Sequence, residues 1–329
     1  MMPRSDGESR GGGAQLSVNR RSYLKLAGVA AGSAGLLSGP ASAAFTRRGI
    51  QFNRTVNMVE DAGCDPTGNE PCDDQITAAA DDYTLLKFPA GEYKITEKNA
   101  VLGLTNVGFL GVGDARFTVP EDFNEKVLVV DRGEGVLFEG IDIDQRADGA
   151  TPALHIAGDD DIRVHDVELI GAGIHRDSIP KGEPGYSPGV GPDKGNPRVH
   201  DFFYPIVRSE SGTGLVTNLR ANNHGLMGTY NAGNGRSGIW VGIGTYGTIT
   251  FRDCHIEEFG SNGCYTSRTY GVVQYEGGVY RNNDNNQIRL GSENSYIDGA
   301  SLEVDADASE APNPYEALNY RGVRIEMGH

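Results

Sequence analysis

Two stretches of this 329-residue chain concentrate side chains that can move protons or hold anions. The first, 172 to 203, carries His175, Arg176, Asp177, Lys181, Asp193, Lys194, Arg198, His200 and Asp201; the second, 224 to 237, carries His224, Tyr230 and Arg236. Taking a proton from the carbon beside a uronate carboxylate requires a cation, arginine or calcium, to neutralise that carboxylate, and a base such as His, Tyr, Lys or Arg. Hydrolysing a glycosidic bond instead requires two carboxyl groups flanking it. His200, His224 and Arg236 are candidates for the first chemistry, Asp177 with Asp201 for the second. Farther along stand Trp240, the only tryptophan, Tyr265, Arg268 and Arg289. Aromatic faces beside guanidinium groups suit stacking on sugar rings and pairing with uronate or sulfate, so these four and Tyr230 are the candidate binding residues.

No cofactor motif survives inspection. "GIGTYG" (242 to 247) matches a dinucleotide fingerprint, but a strand-like "TITFRD" follows where a helix would have to start. "GDDDIRVHD" (158 to 166) is acidic, yet its spacing fits no EF-hand loop. Calcium remains the one ion the chemistry has a use for, with no ligand set readable.

These residues need a frame, and the frame repeats. "VLFEGIDI", "IRVHDVEL", "LVTNLRA", "ITFRDCHI" and "SYIDGASL" each set apolar residues around Gly140, Asp166, Asn218, Asp253 or Gly299, types that tolerate the left-handed backbone of a sharp bend. Two residues before each bend, an apolar column runs Phe109, Phe138, Val164, Val216, Phe251, Tyr275 and Ile297, in steps of 29, 26, 52, 35, 24 and 22. A second strand set, including "VLVV", "ALHIA", "PIVRS", "GIWVG", "CYTS", "QIRLG" and "GVRIE", alternates with the first. Two strands per period and small polar corners predict a parallel β-helix. Alternation turns His155, Val207, Trp240, Tyr265, Arg289 and Arg324 outward on the second set, about 4.8 Å apart. The long steps put extra chain at 172 to 203 and 224 to 237, and with 303 to 320 three long loops are expected to wall one face. "RNNDNNQ" (281 to 287) falls where one turn hands over to the next, so its amides are expected at a corner, bonded along the axis.

Upstream, "DAGCDPTGNEPCDDQITAAADDYTLLKFPAGEYKI" (61 to 95) reads as a polar loop, a short helix around Ile76 to Ala80 and a strand. This stretch resembles the N-terminal cap of pectate-lyase-like right-handed parallel β-helix proteins. The resemblance implies an all-β, right-handed parallel β-helix of about seven rungs under a short helical cap, with an extracellular polysaccharide lying along one face. It implies a polysaccharide lyase or glycoside hydrolase, or else a non-catalytic glycan-binding or cell-surface protein. The chain has no polygalacturonase-type Asn-Thr-Asp, Gly-His-Gly or Arg-Ile-Lys, so no catalytic role carries over from that branch. The expected organisation is a signal at 1–43, a linker at 44–57, the cap at 58–104 and the β-helix at 105–329, broken off after the first strand of a turn.

"NRRSYLKLAGVAAGSAGLLSGPASA" resembles a twin-arginine export signal cleaved after Ala43, which implies a secreted or cell-surface protein. Beyond it the chain keeps 24 basic and 43 acidic residues, a net −19 that disfavours nucleic acid and suits a halophile. No apolar run is long enough to span a membrane. Of the four cysteines, Cys64 and Cys72 enclose a short loop and are the favoured disulfide; Cys254 and Cys264 either pair or stay as buried thiols.

Overall fold

The structure is a computed structural model that describes residues 44–179, 183–184, 199–227, 235–311 and 321–326, all within the compact unit Gly39–His329. The expected export signal, Lys181, Asp193, Lys194, Arg198 and Tyr230 lie outside the described residues.

Strands dominate, and they form two parallel stacks. One contains Arg54–Asn57, Thr84–Phe88, Thr105–Thr118, Glu134–Asp144, Asp160–Ile170, Thr213–Asn222, Thr248–Arg252, Val272–Glu276 and Tyr296–Asp298. The other runs through Asn99–Leu102, Lys126–Asp131, Ala153–Gly158, Phe203–Val207, Ile239–Trp240, Asn262–Thr266, Asn286–Leu290 and Arg321–Ile325. From Asn99 onwards the chain alternates between the two stacks, and each return pairs in parallel with its predecessor. An all-β chain stacked this way is compatible with a parallel β-helix.

The inward column is paired residue on residue as the sequence period demands. Phe109 sits beside Phe138, Phe138 beside Val164, Val164 beside Val216, Val216 beside Phe251, Phe251 beside Tyr275 and Tyr275 beside Ile297. The same column reaches back through Leu86 to Val56. A one-residue slip in any strand would turn its apolar set to solvent, so burial enforces the register.

Two residues on from that column, the backbone bends. Gly140, Asp166, Asn218, Asp253, Gly277 and Gly299 all have left-handed φ, between 53° and 70°. A bend recurring once per pass therefore takes Gly, or Asp and Asn, which pay least for that conformation. The corner side chains also bond to one another: Asn218 Nδ2 donates to Asp166 Oδ1 at 2.6 Å.

The Asn-rich stretch is a corner too, and it is buried from Asn282 to Gln287. Asn283 Nδ2 donates to Ile256 O at 3.0 Å and to Gln287 Oε1 at 2.8 Å, while its Oδ1 accepts the Phe259 N–H. Asn286 Nδ2 donates to Asn262 Oδ1 of the preceding pass at 2.6 Å. Amide side chains supply donors and acceptors where turning backbone would otherwise be left unpaired inside the protein.

At the N-terminal end, α1 (Asp73–Ala79) turns Ile76 and Ala79 into the core beside Val56 and Met58. Its Asp73 carboxylate accepts the Thr96 N–H and hydroxyl and the Asn99 amide. Cys64 and Cys72 are disulfide-bonded across the loop before the helix. Cys254 and Cys264 are buried thiols, not a disulfide, and burial pushes the Cys254 thiol up to about 12.

An antiparallel hairpin, Phe45–Arg47 with Ile50–Phe52, lies against the outer side of the first stack. Phe52 and Ile50 cover Leu85, Leu110 and Leu137, and Arg47 and Arg48 both reach the buried Glu139, at 2.6 and 2.7 Å.

Candidate functional site

The outward row of the second stack is continuous. Strand pairing sets Val129, His155, Tyr204, Trp240, Tyr265, Arg289 and Arg324 side by side, each in register with the next. The pairing of Phe203 with Ile239 fixes the step from Tyr204 to Trp240. One position corrects the sequence reading: Tyr204, not Val207, stands beside His155, and Val207 faces the core. Phe202, Phe203, Pro205, Ile206 and Val207 are all buried, so alternation alone could not fix that strand's register.

The aromatic part of the row is a graded contact. His155 and Tyr204 rings stack with centroids 6.0 Å apart, Tyr204 and Trp240 meet at 5.7 Å, and the Arg289 guanidinium lies 4.0 Å over the Tyr265 ring. Arg268 approaches the same ring at 5.7 Å. Trp240 and Tyr265 are partly buried, and the Arg289 side chain is only 11% exposed. Gly242 lies directly under the indole and has no room for a Cβ there, which gives the glycine of "GIGTYG" a packing role.

Beside Tyr204 a charged group has assembled that the sequence did not reveal. Lys126 Nζ lies 4.9 Å over the Tyr204 ring and 3.5 Å from His155 Nδ1. His155 Nε2 is 3.7 Å from Asp131, which accepts two 2.7 Å hydrogen bonds from Arg208. Burial pulls the His155 pKa down to about 4 and lowers that of Lys126 as well. Burial works against the Asp131 carboxylate, but the Arg208 guanidinium more than offsets it and holds the pKa below its ordinary value. The available signal was small: Lys126 and Asp131 bracket "VLVV", and the apolar Val129 between them marks the row's start as unremarkable.

The five candidate catalytic residues fall in three places. His200, Asp201 and Arg236 come together at the start of Phe203–Val207: Arg236 Nε donates to His200 O, and Asp201 Oδ1 accepts the Ser237 N–H at 2.7 Å. The His200 ring lies edge-on to Tyr204 at 6.4 Å and 3.6 Å from Glu125, and burial lowers its pKa. Burial raises the Asp201 carboxyl to about 6. Arg236 is buried, held by Gln145 Oε1 at 2.7 Å, Asn223 Oδ1 at 2.8 Å and the Pro152 carbonyl, and burial lowers its pKa to about 10.

His224 belongs to a separate group, its Nδ1 2.7 Å from the buried Glu258. Glu258 Oε1 also accepts the Ser309 hydroxyl and the Glu310 N–H, tying residues 309–311 to this corner. The hydrogen bond to Glu258 raises the His224 pKa. Asp177 is exposed, its N–H on His175 Nδ1 at 3.2 Å. Tyr230 lies outside the described residues.

Among the described residues no three His, Cys, Asp or Glu side chains converge to hold a metal ion, and no helix is long and apolar enough to cross a membrane. In comparisons with known proteins the chain matches no family model, no curated protein and no solved structure.

Proposed function

We infer that this chain is an exported carbohydrate-active protein, a right-handed parallel β-helix of about seven rungs, and that it holds an acidic extracellular polysaccharide along the outward row of its second stack. The observation carrying this reading is the unbroken file His155, Tyr204, Trp240, Tyr265 and Arg289. Strand spacing sets these aromatic side chains beside one another, Tyr204 tilted by 59° to Trp240, with Lys126 at one end and Arg268 and Arg289 at the other. Sugar rings stack on such a strip, and uronate or sulfate groups meet its cations. The residues beyond Ala43 carry a net −19, so Lys126, Arg268 and Arg289 beside the aromatic row are the groups there that favour a polyanion.

Of the two cleavage chemistries, β-elimination suits this face better. Burial lowers the Lys126 pKa towards neutral pH and disfavours the charged form of His200, so each offers a lone pair for taking the proton beside a carboxylate. A hydrolase would need two free carboxyl groups across the bond, whereas Asp131 is held by Arg208 and Asp201 by Ser237. A second reading, glycan binding without cleavage, draws support from the separation of His224 and Asp177 from His200 and Arg236. The test is to incubate the mature protein at high salt, with and without calcium, with uronate-containing and neutral polysaccharides. Ultraviolet absorbance of unsaturated products rising together with reducing ends supports the lyase; reducing ends alone support a hydrolase. Binding to acidic polymers without either signal supports the binder, and no binding to any polymer removes the proposal.

A further inference from the structure

Arg236 is 4% exposed, and among the described residues its guanidinium is held by neutral acceptors: Gln145, Asn223 and the carbonyls of Pro152 and His200. A buried charge is ordinarily paired, because leaving water costs several kcal/mol that neutral dipoles return only in part. No carboxylate among the described residues lies within ion-pair distance of Arg236. Asp201 attracts it from farther off, but that carboxyl is bonded to Ser237 and is itself shifted towards its neutral form.

A cavity of about 30 Å³ opens beside this guanidinium. Its wall includes Arg236, His175, Ser178 and Asn223, with Ile174 and Leu226 as apolar surface, and among the described residues no Asp or Glu contributes to it. A guanidinium carries five N–H groups, and the four bonds above leave one on Nη2. His175 Nδ1 accepts the Asp177 N–H, so a neutral ring keeps its proton on Nε2, a second donor. Ser178, which carries a hydroxyl, is part of the same wall. Gly173, in the same wall, packs against the guanidinium: a Cβ there would run into Arg236, Asn223 and Gln145.

Donors around a buried positive charge, apolar walls and room for one small species define a receptor for a small anion. We propose that the cavity beside Arg236 binds a monovalent inorganic anion of chloride size, which neutralises the guanidinium and ties the 173–178 turn to the strand that begins at Phe203. A sugar carboxylate is too large for the space, so the ligand of this site is distinct from the polymer on the outward row.

Bromide replaces chloride and is visible by anomalous diffraction, so crystals of the intact protein grown or soaked in bromide give a direct reading. An anomalous peak within hydrogen-bond reach of Arg236 supports the site. A water in its place, an empty cavity, or a carboxylate from 180–198 or 228–234 overturns it. In solution, the melting temperature should rise further in sodium chloride than in sodium gluconate at equal ionic strength, saturating with concentration, and Arg236→Gln should abolish that difference. Equal rises for the wild-type protein in the two salts, or a chloride-specific rise that survives Arg236→Gln, also overturn it. Should the variant fail to fold, the bromide experiment decides alone.

Discussion

The Arg289 guanidinium lies 4.0 Å over the Tyr265 ring and at the same time donates from Nε to Glu326 at 2.8 Å, so one side chain serves both an aromatic face and an acid. Arg324 reaches the other oxygen of Glu326 at 2.7 Å. Glu326 therefore competes with any acidic ligand for two cations at this end of the row. Glu326→Gln should tighten binding of a uronate polymer several-fold and steepen its salt dependence, read by titration calorimetry at two ionic strengths. Equal or weaker binding would place the ligand elsewhere.

Tyr265 and Trp240 are expected to carry the sugar contacts without carrying the fold. Tyr265→Ala and Trp240→Ala should each weaken glycan binding by about tenfold, in keeping with a stacked aromatic contact of about 1 kcal/mol and the burial it adds. The urea midpoint should move much less than for a core truncation such as Phe138→Ala, expected to cost about 3–5 kcal/mol.

The N-terminal hairpin has an electrostatic clasp. Glu139 is 5% exposed and accepts from both Arg47 and Arg48, which are themselves partly exposed. Replacing both arginines with alanine strands that carboxylate and should cost about 2 kcal/mol, less than a fully buried pair because the arginine side is solvated. Adding Glu139→Gln to the double variant should restore part of the loss in urea unfolding, and no recovery would mean the hairpin is held by Phe52 and Ile50 alone.

His224 and Glu258 give a pH signature. The His224 pKa is raised above its ordinary 6.5, so the stability it confers is complete below that value and fades as pH climbs through the raised pKa. Glu258 is lowered below 4.5; burial opposes this, but His224, Ser309 and Glu310 prevail, so its contribution is complete above 4.5 and fades as pH falls through the lowered pKa. The stability gap between wild type and His224→Asn should thus be widest at about pH 5–6 and narrow towards pH 8. Asparagine is the apt replacement because residue 224 has φ of 44°. A gap that does not change with pH would show that the ion pair contributes nothing.

Thiol counting checks the cysteines. Native protein should react negligibly with a disulfide reagent, since Cys254 and Cys264 are buried. Denatured protein should show two thiols, and four after reduction. Losing the Cys64–Cys72 bridge should cost about 2–3 kcal/mol for so short a loop.

Column and corners were legible because each is a one-residue requirement repeated along the chain. Phe109 through Ile297 had to be apolar, and Asp166 or Asn218 had to bend, whatever lay between. Cys64 with Cys72, and the amide corner at Asn283, are likewise local statements. The meeting of Lys126, His155, Asp131 and Arg208 is not local. It depends on which residue of Phe203–Val207 lands beside His155, and a long insertion precedes that strand, so composition carries no trace of the answer. The hairpin that binds Glu139 is equally silent, because two arginines in a polar run look like any solvated surface.

The left-handed corners have a consequence for how the sequence can drift. Asp166, Asn218 and Asp253 tolerate exchange with glycine or with each other, while valine or isoleucine at any of them meets the same steric objection. Strands that touch mainly their neighbours confine such damage to one pass. A saturation mutagenesis map should therefore show forbidden branched residues at 140, 166, 218, 253, 277 and 299, an uneven ruler from which the passes of the chain can be counted without any coordinates.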